Sequence, residues 1–384
     1  MRGHVRKRGK TWSYVIELPR REDSKRNQKW VSGFATRKEA EAALTTAQAR
    51  LQAGIYVAPT RQTFGDYLAS DWLPAIKGTI RPATYESYDR NLRLHVIPRI
   101  GGVRLSALDA GSLNSLYAEL SAVGRVKKPG GLSARTVHYI HTIIHRALRD
   151  AVRWDRLARN VADAADPPRQ RSAERREIHA WTSESVRAFL NLMKDDRNFT
   201  LWLLLVTTGM RRGEALGLRW ADLDLEGATL SVRQTLITVG DDIAFGTPKT
   251  SKGTRVIALD AGTVAALRSL KARQSQERLA LGPTYTDLGL VFTAVDGTPL
   301  HPKRISETFR RKIRNAELPT LSLHGLRHTW ATLALQAGVH PKVVSERLGH
   351  ADITITLNTY SHVTPTMQAD AADTVARLVL GDHT

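Results

Sequence analysis

The chain has 384 residues, too many for one ordinary core, and its 42% hydrophobic content excludes disorder throughout. Lys and Arg number 57 against 37 Asp and Glu, a formal net charge of +20 that points to a polyanionic partner, above all nucleic acid. The absence of cysteine removes disulfides, thiolate-bound zinc, iron–sulfur clusters and thiol nucleophiles; the longest strongly apolar run, Leu201 to Val206, falls far short of the ~18 residues of a membrane span, so a soluble intracellular protein is expected.

Residues 1–57 carry 13 Lys and Arg against 5 Asp and Glu. Two β-prone runs, TWSYVIEL at 11–18 and KWVSGFA at 29–35, flank a polar loop. Thr36 and Glu39 form a capping box ahead of a helix with Ala40, Ala43, Leu44, Ala47 and Leu51 at helical spacing. Three strands and a helix make a small basic α/β domain able to lay its sheet in a DNA groove. A basic solubilising segment or an RNA-binding patch is the alternative.

Residues 60–160 read as an all-α bundle, with helices near 63–72, 82–95, 106–121 and 133–153, the second opening at Pro82. In the last of them Val137, Ile140, Ile144, Leu148 and Val152 share a face, leaving His138, His141, Arg146 and Arg149 elsewhere. The connection VGRVKKPGGLS either lies against a phosphate backbone or is simply solvated. Residues 161–180, rich in Pro, Ala and charge, read as a linker, and 181–384 as a mixed α+β domain.

No phosphate loop, zinc helix, nucleophile elbow or dinucleotide fingerprint is present. The acidic pairs Asp195–Asp196, Asp222 with Asp224 and Asp241–Asp242 lie in turn-like contexts that argue against a metal site. Four other segments hold the chemistry. In TTGMRRGEALGL, a buried helix stops at Gly209 and a second begins after Arg211, which places Arg211 where a phosphate would be held or where it would pair with Glu214 at the surface. The runs 229–239, IAFGTPKT and 254–259 read as a three-stranded antiparallel meander with Lys249 and Lys252 at its second turn. In LSLHGLRHTWATLALQAG, His324 and Arg327 stand at i and i+3 on one helix face, suited to an oxyanion, the alternative being a satisfied core histidine with a surface arginine. In ERLGHADITITLNTYSHV, Gly349 stops a helix, His350 follows, and Tyr360 comes ten residues later; Ile353, Ile355 and Leu357 alternate like a strand while Asp352 would cap a helix, so periodicity leaves both open.

The ordered set Arg211, Lys249, His324, Arg327, His350 and Tyr360 resembles the tyrosine recombinases of the phage integrase family across residues 180–384. Residues 1–57 and 60–160 are similar to the arm-type DNA-binding and SAM-like core-binding domains of the larger, lambda-like integrases. The resemblance implies a helix over Asp352–Leu357 and Tyr360 as nucleophile, forming a 3′-phosphotyrosine and a free 5′-hydroxyl. It implies Arg211, Arg327, His324 and His350 as phosphate ligands and a hairpin lysine as general acid, Lys249 in its PKT setting ahead of Lys252. It implies no metal or other cofactor. The partners implied are double-stranded DNA attachment sites of core and arm types, a homotetramer on DNA, a DNA-bending host factor and a directionality factor, in the cytoplasm and on the nucleoid of a bacterial host. The activity implied is integration or excision of a mobile element such as a phage genome. The rival readings are a resolvase-like recombinase or type IB topoisomerase, a non-catalytic DNA-binding regulator on the same scaffold, and a purely structural basic protein. The C-terminal segment, with Met367, Ala371, Val375 and Leu378 at helical spacing, docks either on a neighbouring protomer, as the family implies, or on its own domain.

Overall fold

The computed structural model describes residues 3–18, 27–52, 61–126, 128–169, 179–240, 242–247, 253–360 and 365–380. Its contacts fall into two compact units, Met1–Ala173 and Glu174–Thr384.

In the first unit, strands β1 (Gly3–Arg8), β2 (Thr11–Leu18) and β3 (Asn27–Phe34) form an antiparallel sheet in the order β1-β2-β3. Helix α1 (Arg37–Gln52) covers one face, with Tyr14, Ile16, Leu44 and Ala47 buried between them. Half of the expected capping box is present: the Thr36 hydroxyl accepts from the Glu39 amide at 3.2 Å, but the Glu39 carboxylate reaches one residue past the cap, accepting from the Ala35 amide at 3.0 Å.

The helical part runs through α2 (Phe64–Asp66), α3 (Leu73–Ile76), α4 (Pro82–Asn91), α5 (Ile97–Ile100), α6 (Ala110–Val123) and α7 (Ala134–Arg153). Two wide π-helical turns, Tyr67–Trp72 and Leu92–Val96, lead into α3 and α5. Each is followed within two residues by a proline, Pro74 or Pro98, inside the next helix's first turn. Proline lacks an N–H for the carbonyl four residues back and its ring clashes with it; a widened turn relieves both problems. The anticipated face of α7 is buried at Val137, Ile140, Ile144 and Leu148, with Val152 half-buried. Buried polar bonds complete this core, Trp72 Nε1 donating to Asp150 at 2.9 Å and the Tyr67 hydroxyl donating to Ala147 O at 2.8 Å.

The second unit holds α8 (Ser183–Leu192), α9 (Phe199–Thr208), α10 (Arg212–Leu216), β4 (Leu223–Asp224), β5 (Thr229–Val232), β6 (Thr235–Val239), β7 (Asp242–Gly246), β8 (Arg255–Ala258) and α11 (Ala261–Leu281). It continues with α12 (Pro302–Asn315), α13 (Gly325–Gln336), α14 (Pro341–Leu348), α15 (Ile353–Tyr360) and α16 (Pro365–Leu380). Its core gathers Trp202, Phe189, Phe309, Leu201 and Leu216 among others. The expected meander is corrected here. The run 229–239 breaks after Val232, so that β5 pairs with β4 and β8 in one sheet while β6 and β7 form a separate hairpin. The break has a local cause: the Gln234 side chain donates to the Gly217 carbonyl at 2.7 Å, drawing the chain onto the end of α10. At Asp352 the helix, not the strand, is correct: the Asp352 carboxylate accepts from the Thr354 amide at 2.7 Å as α15 begins. Among the described residues no helix is long and apolar enough to cross a membrane.

Candidate active site

Two glycines that stop helices build the floor of the site. Gly209 ends α9 and Gly349 ends α14, both at φ 65 in the left-handed region that glycine enters without strain. A side chain at Gly209 would also meet Leu348 at 2.8 Å. Each turn presents a carbonyl to one of the expected arginines. Arg211 Nη2 donates to Gly349 O at 3.2 Å, and Arg327 Nη1 donates to Gly209 O at 2.9 Å. Arg327 Nη2 further donates to Leu348 O at 2.6 Å. Segments more than a hundred residues apart are thus stitched at one point, with Arg327 only 3% exposed.

The alternative reading, an ion pair of Arg211 with Glu214, is met in part: the pair forms, with the Arg211 side chain 40% exposed but its partner buried. Glu214, 3% exposed, accepts from Arg211 Nη1 at 2.7 Å and from the Arg211 amide at 3.0 Å. It also accepts from Arg255 Nη2 at 2.9 Å, and Arg255 Nε donates to Arg347 O at 2.6 Å. Burial opposes ionisation of Glu214, but the hydrogen bond and charge of Arg255, with the charge of Arg211, outweigh it and hold the carboxyl below its usual range. The start of α10 is therefore occupied by the chain's own carboxylate, which clamps the Arg211 guanidinium in one orientation.

His324 precedes α13, its ring 5.1 Å from that of His328 and nearly perpendicular to it. Burial above all, then the charges of His328, Arg327, Arg211 and Arg212, push its pKa down to about 4. His350 follows Gly349, and burial with Arg327, Arg211, His328 and Arg255 pushes it down to about 4 as well. Both rings are neutral at pH 7. An unfolded histidine titrates near 6.5, so between about 6.5 and 4 the unfolded chain binds more protons than the folded one, and stability that is complete above this window declines as pH falls through it. We expect the unfolding temperature to drop between pH 7 and pH 5, and the drop to be shallower in a His324→Gln variant; identical slopes in a thermal melt series would show that His324 does not titrate as described.

Beside Arg211 and His324 lies a cleft of about 410 Å³, lined also by Arg212, Ser306 and Arg310. Helix α12 forms one wall; it buries Pro302, Ile305, Phe309 and Ile313 and exposes Lys303, Arg304, Arg310, Arg311 and Arg314. The site thus adjoins a cationic surface suited to a phosphate backbone.

Of the six expected residues, the structure brings Arg211, His324, Arg327 and His350 together. Tyr360 is the last residue of α15, and its side chain lies outside the described residues. Lys249 and Lys252 fall in 248–252, also outside them. Glu214 and Arg255 are the members that local reading did not single out as part of the site. Three of the six carboxylates weighed as metal ligands are otherwise engaged: Asp196 with Lys312 at 2.7 Å, Asp222 with Arg219 at 3.0 Å, and Asp224 with the Gly227 amide at 2.8 Å. Asp241 lies outside the described residues.

Comparison with known proteins follows the same division. The phage integrase family matches residues 180–367, an arm DNA-binding domain matches 4–51, and the N-terminal SAM-like domain of phage integrases matches 63–120. The chain is 28% identical over 391 residues to the tyrosine recombinase XerC-like protein of Caldanaerobacter subterraneus subsp. tengcongensis, covering 97% of this chain and 98% of that one. It is 26% identical over 381 residues to an integrase of Streptomyces ambofaciens, covering 96% and 94%. In fold it is similar to the Tn1549 transposon integrase in complex with a circular intermediate DNA, with TM-score 0.65 and 20% identity, covering 82% of this chain and 100% of that one. It is likewise similar to a lambda integrase tetramer bound to a Holliday junction, with TM-score 0.55 and 16% identity, covering 92% and 94%. With these three matched segments in order and a buried guanidinium and imidazole site inside the third, the chain belongs to the tyrosine recombinase family of phage and mobile-element integrases, and is an enzyme of site-specific DNA recombination.

Proposed function

We propose that Tyr360 attacks the scissile phosphodiester of an attachment site, forming a 3′-phosphotyrosine as the 5′-oxygen leaves with a proton from Lys249. A phosphodiester resists attack because its anionic oxygens repel the nucleophile, so the site must neutralise charge that concentrates in the transition state. Arg211, held in a fixed plane by Glu214, and Arg327 supply guanidinium forks for the nonbridging oxygens. His324 and His350, neutral at pH 7, each present one nitrogen as a donor and one as an acceptor, and His324 takes the phenolic proton. The phosphotyrosine keeps the bond energy for religation, so ATP does not enter, and the paired guanidiniums supply the charge that a metal ion would otherwise bring. A 5′-hydroxyl from a second duplex reverses the step and completes strand exchange.

The observation that carries this reading is the meeting of Arg211, Arg327, His324 and His350 from three chain segments around the two helix-stop carbonyls, with the helix that ends in Tyr360 leaving directly after His350. In a bacterial cytoplasm the enzyme would integrate or excise a mobile element. Residues 1–57 would bind arm sites, 60–160 and 181–384 would clasp the core site, with 161–180 as the linker, and four copies would assemble on DNA, aided by a host bending factor and a directionality factor. The basic N-terminal sheet favours an integrase over a resolvase-like enzyme. A nicked core-site duplex that loses its 5′-hydroxyl fragment on cleavage tests the reading: a covalent protein–DNA species is expected on a denaturing gel, and its absence with intact binding would favour a non-catalytic regulator. Deleting residues 1–57 is expected to abolish gel shifts on arm-site duplexes while leaving core-site shifts intact; loss of both would mean that the segment is needed for folding or core binding.

A further inference from the structure

Helix α15 is built inside out for an ordinary surface helix. Its apolar residues Ile353, Ile355 and Leu357 are 37%, 45% and 45% exposed, while Thr356 is 1% exposed, the one buried side chain among those described on this helix. Apolar burial therefore does little to seat α15 on its domain. A buried hydroxyl needs a partner, and the partner here is the site itself: Thr356 Oγ1 lies 2.7 Å from His350 Nδ1. His350 is otherwise located by its backbone, its amide donating to Ser345 O at 3.0 Å. That bond fixes where the residue starts but not how the ring turns about its two side-chain torsions.

We propose that Thr356 is a positioning residue that orients the His350 ring and ties it to the helix carrying Tyr360, so that the phosphate ligand and the nucleophile are seated by one hydrogen bond. The bond through Nδ1 decides which proton state is left at Nε2, the other ring nitrogen, and hence what His350 offers the scissile phosphate. Thr356 stands four residues before Tyr360, one helical turn, and is the buried anchoring point among the side chains described on α15. A α15 that lifts away releases the ring at the same moment, and an incompletely seated tyrosine then meets an incompletely assembled site.

The proposal rests on the reading of His350 as a phosphate ligand, and single-turnover cleavage of the nicked duplex separates the two. Thr356→Val keeps the shape and removes the hydroxyl; it is expected to slow cleavage about 10- to 100-fold with core-site affinity unchanged, a loss of rate and not of binding. Thr356→Ser restores the hydroxyl and is expected to cleave within about threefold of wild type. His350→Ala is slow, and adding Thr356→Val to it is expected to cost nothing further, because the hydroxyl acts only through the ring. Wild-type cleavage by Thr356→Val, failure of Thr356→Ser to recover, or multiplied losses in the double variant would each overturn the proposal. Wild-type cleavage by His350→Ala would instead overturn the role of His350.

Discussion

Tyr360→Phe is expected to shift a core-site duplex with wild-type affinity and to form no covalent adduct with it, a loss of at least about 10³-fold in cleavage rate. The substitution removes one oxygen from the end of α15 and leaves the basic surfaces of α12 and of the cleft beside Arg211 untouched. On the proposed reading those surfaces supply affinity, so binding is expected to survive. On that same reading, without the phenolic oxygen the phosphate would keep its ligands but have nothing to attack it. Cleavage retained by this variant would remove the nucleophile from the account, and binding lost along with cleavage would place the tyrosine in folding or in DNA contact.

Arg211→Lys is expected to lower cleavage about 10²- to 10³-fold, the usual cost of removing one well-placed donor from a developing anion, while DNA affinity changes little because the charge is kept. The geometry makes the distinction sharp. Glu214 at 2.7 Å and Gly349 O at 3.2 Å hold two nitrogens of the Arg211 guanidinium in one plane. A lysine ammonium can satisfy Glu214 but cannot also present a fork to the phosphate. Near-wild-type cleavage would make Arg211 no more than the counterion of Glu214, which Arg255 also neutralises.

The meeting of Arg211, His324, Arg327 and His350 is legible in the linear order of a few side chains, because they combine residue types that phosphoryl chemistry needs and that a core rarely does. Helix starts were also readable where chemistry is local: the Thr36 cap and the Pro82 opening stand where expected. What escaped was long-range. Arg255 looks like any cation opening a strand, and only the folded chain brings it to Glu214, 41 positions earlier. Strand β1 went unplaced because GHVRKR is mostly exposed cations and packs through little beyond Val5. The meander failed because one glutamine bond to a helix end bends a run whose alternation is otherwise continuous. The ambiguity over α15 has a physical source as well: its alternating isoleucines suggest a strand because the helix hides a threonine and leaves them outside. The same oddity that obscured its secondary structure links it to His350.

The most direct test is to trap the protein on the nicked duplex, digest with trypsin and sequence the nucleotide-bearing peptide by mass spectrometry. The account predicts the adduct in the fragment Leu348–Arg377, whose sole tyrosine is Tyr360, in undiminished yield when EDTA is present. An adduct on any other fragment, or a yield abolished by the chelator, would contradict it.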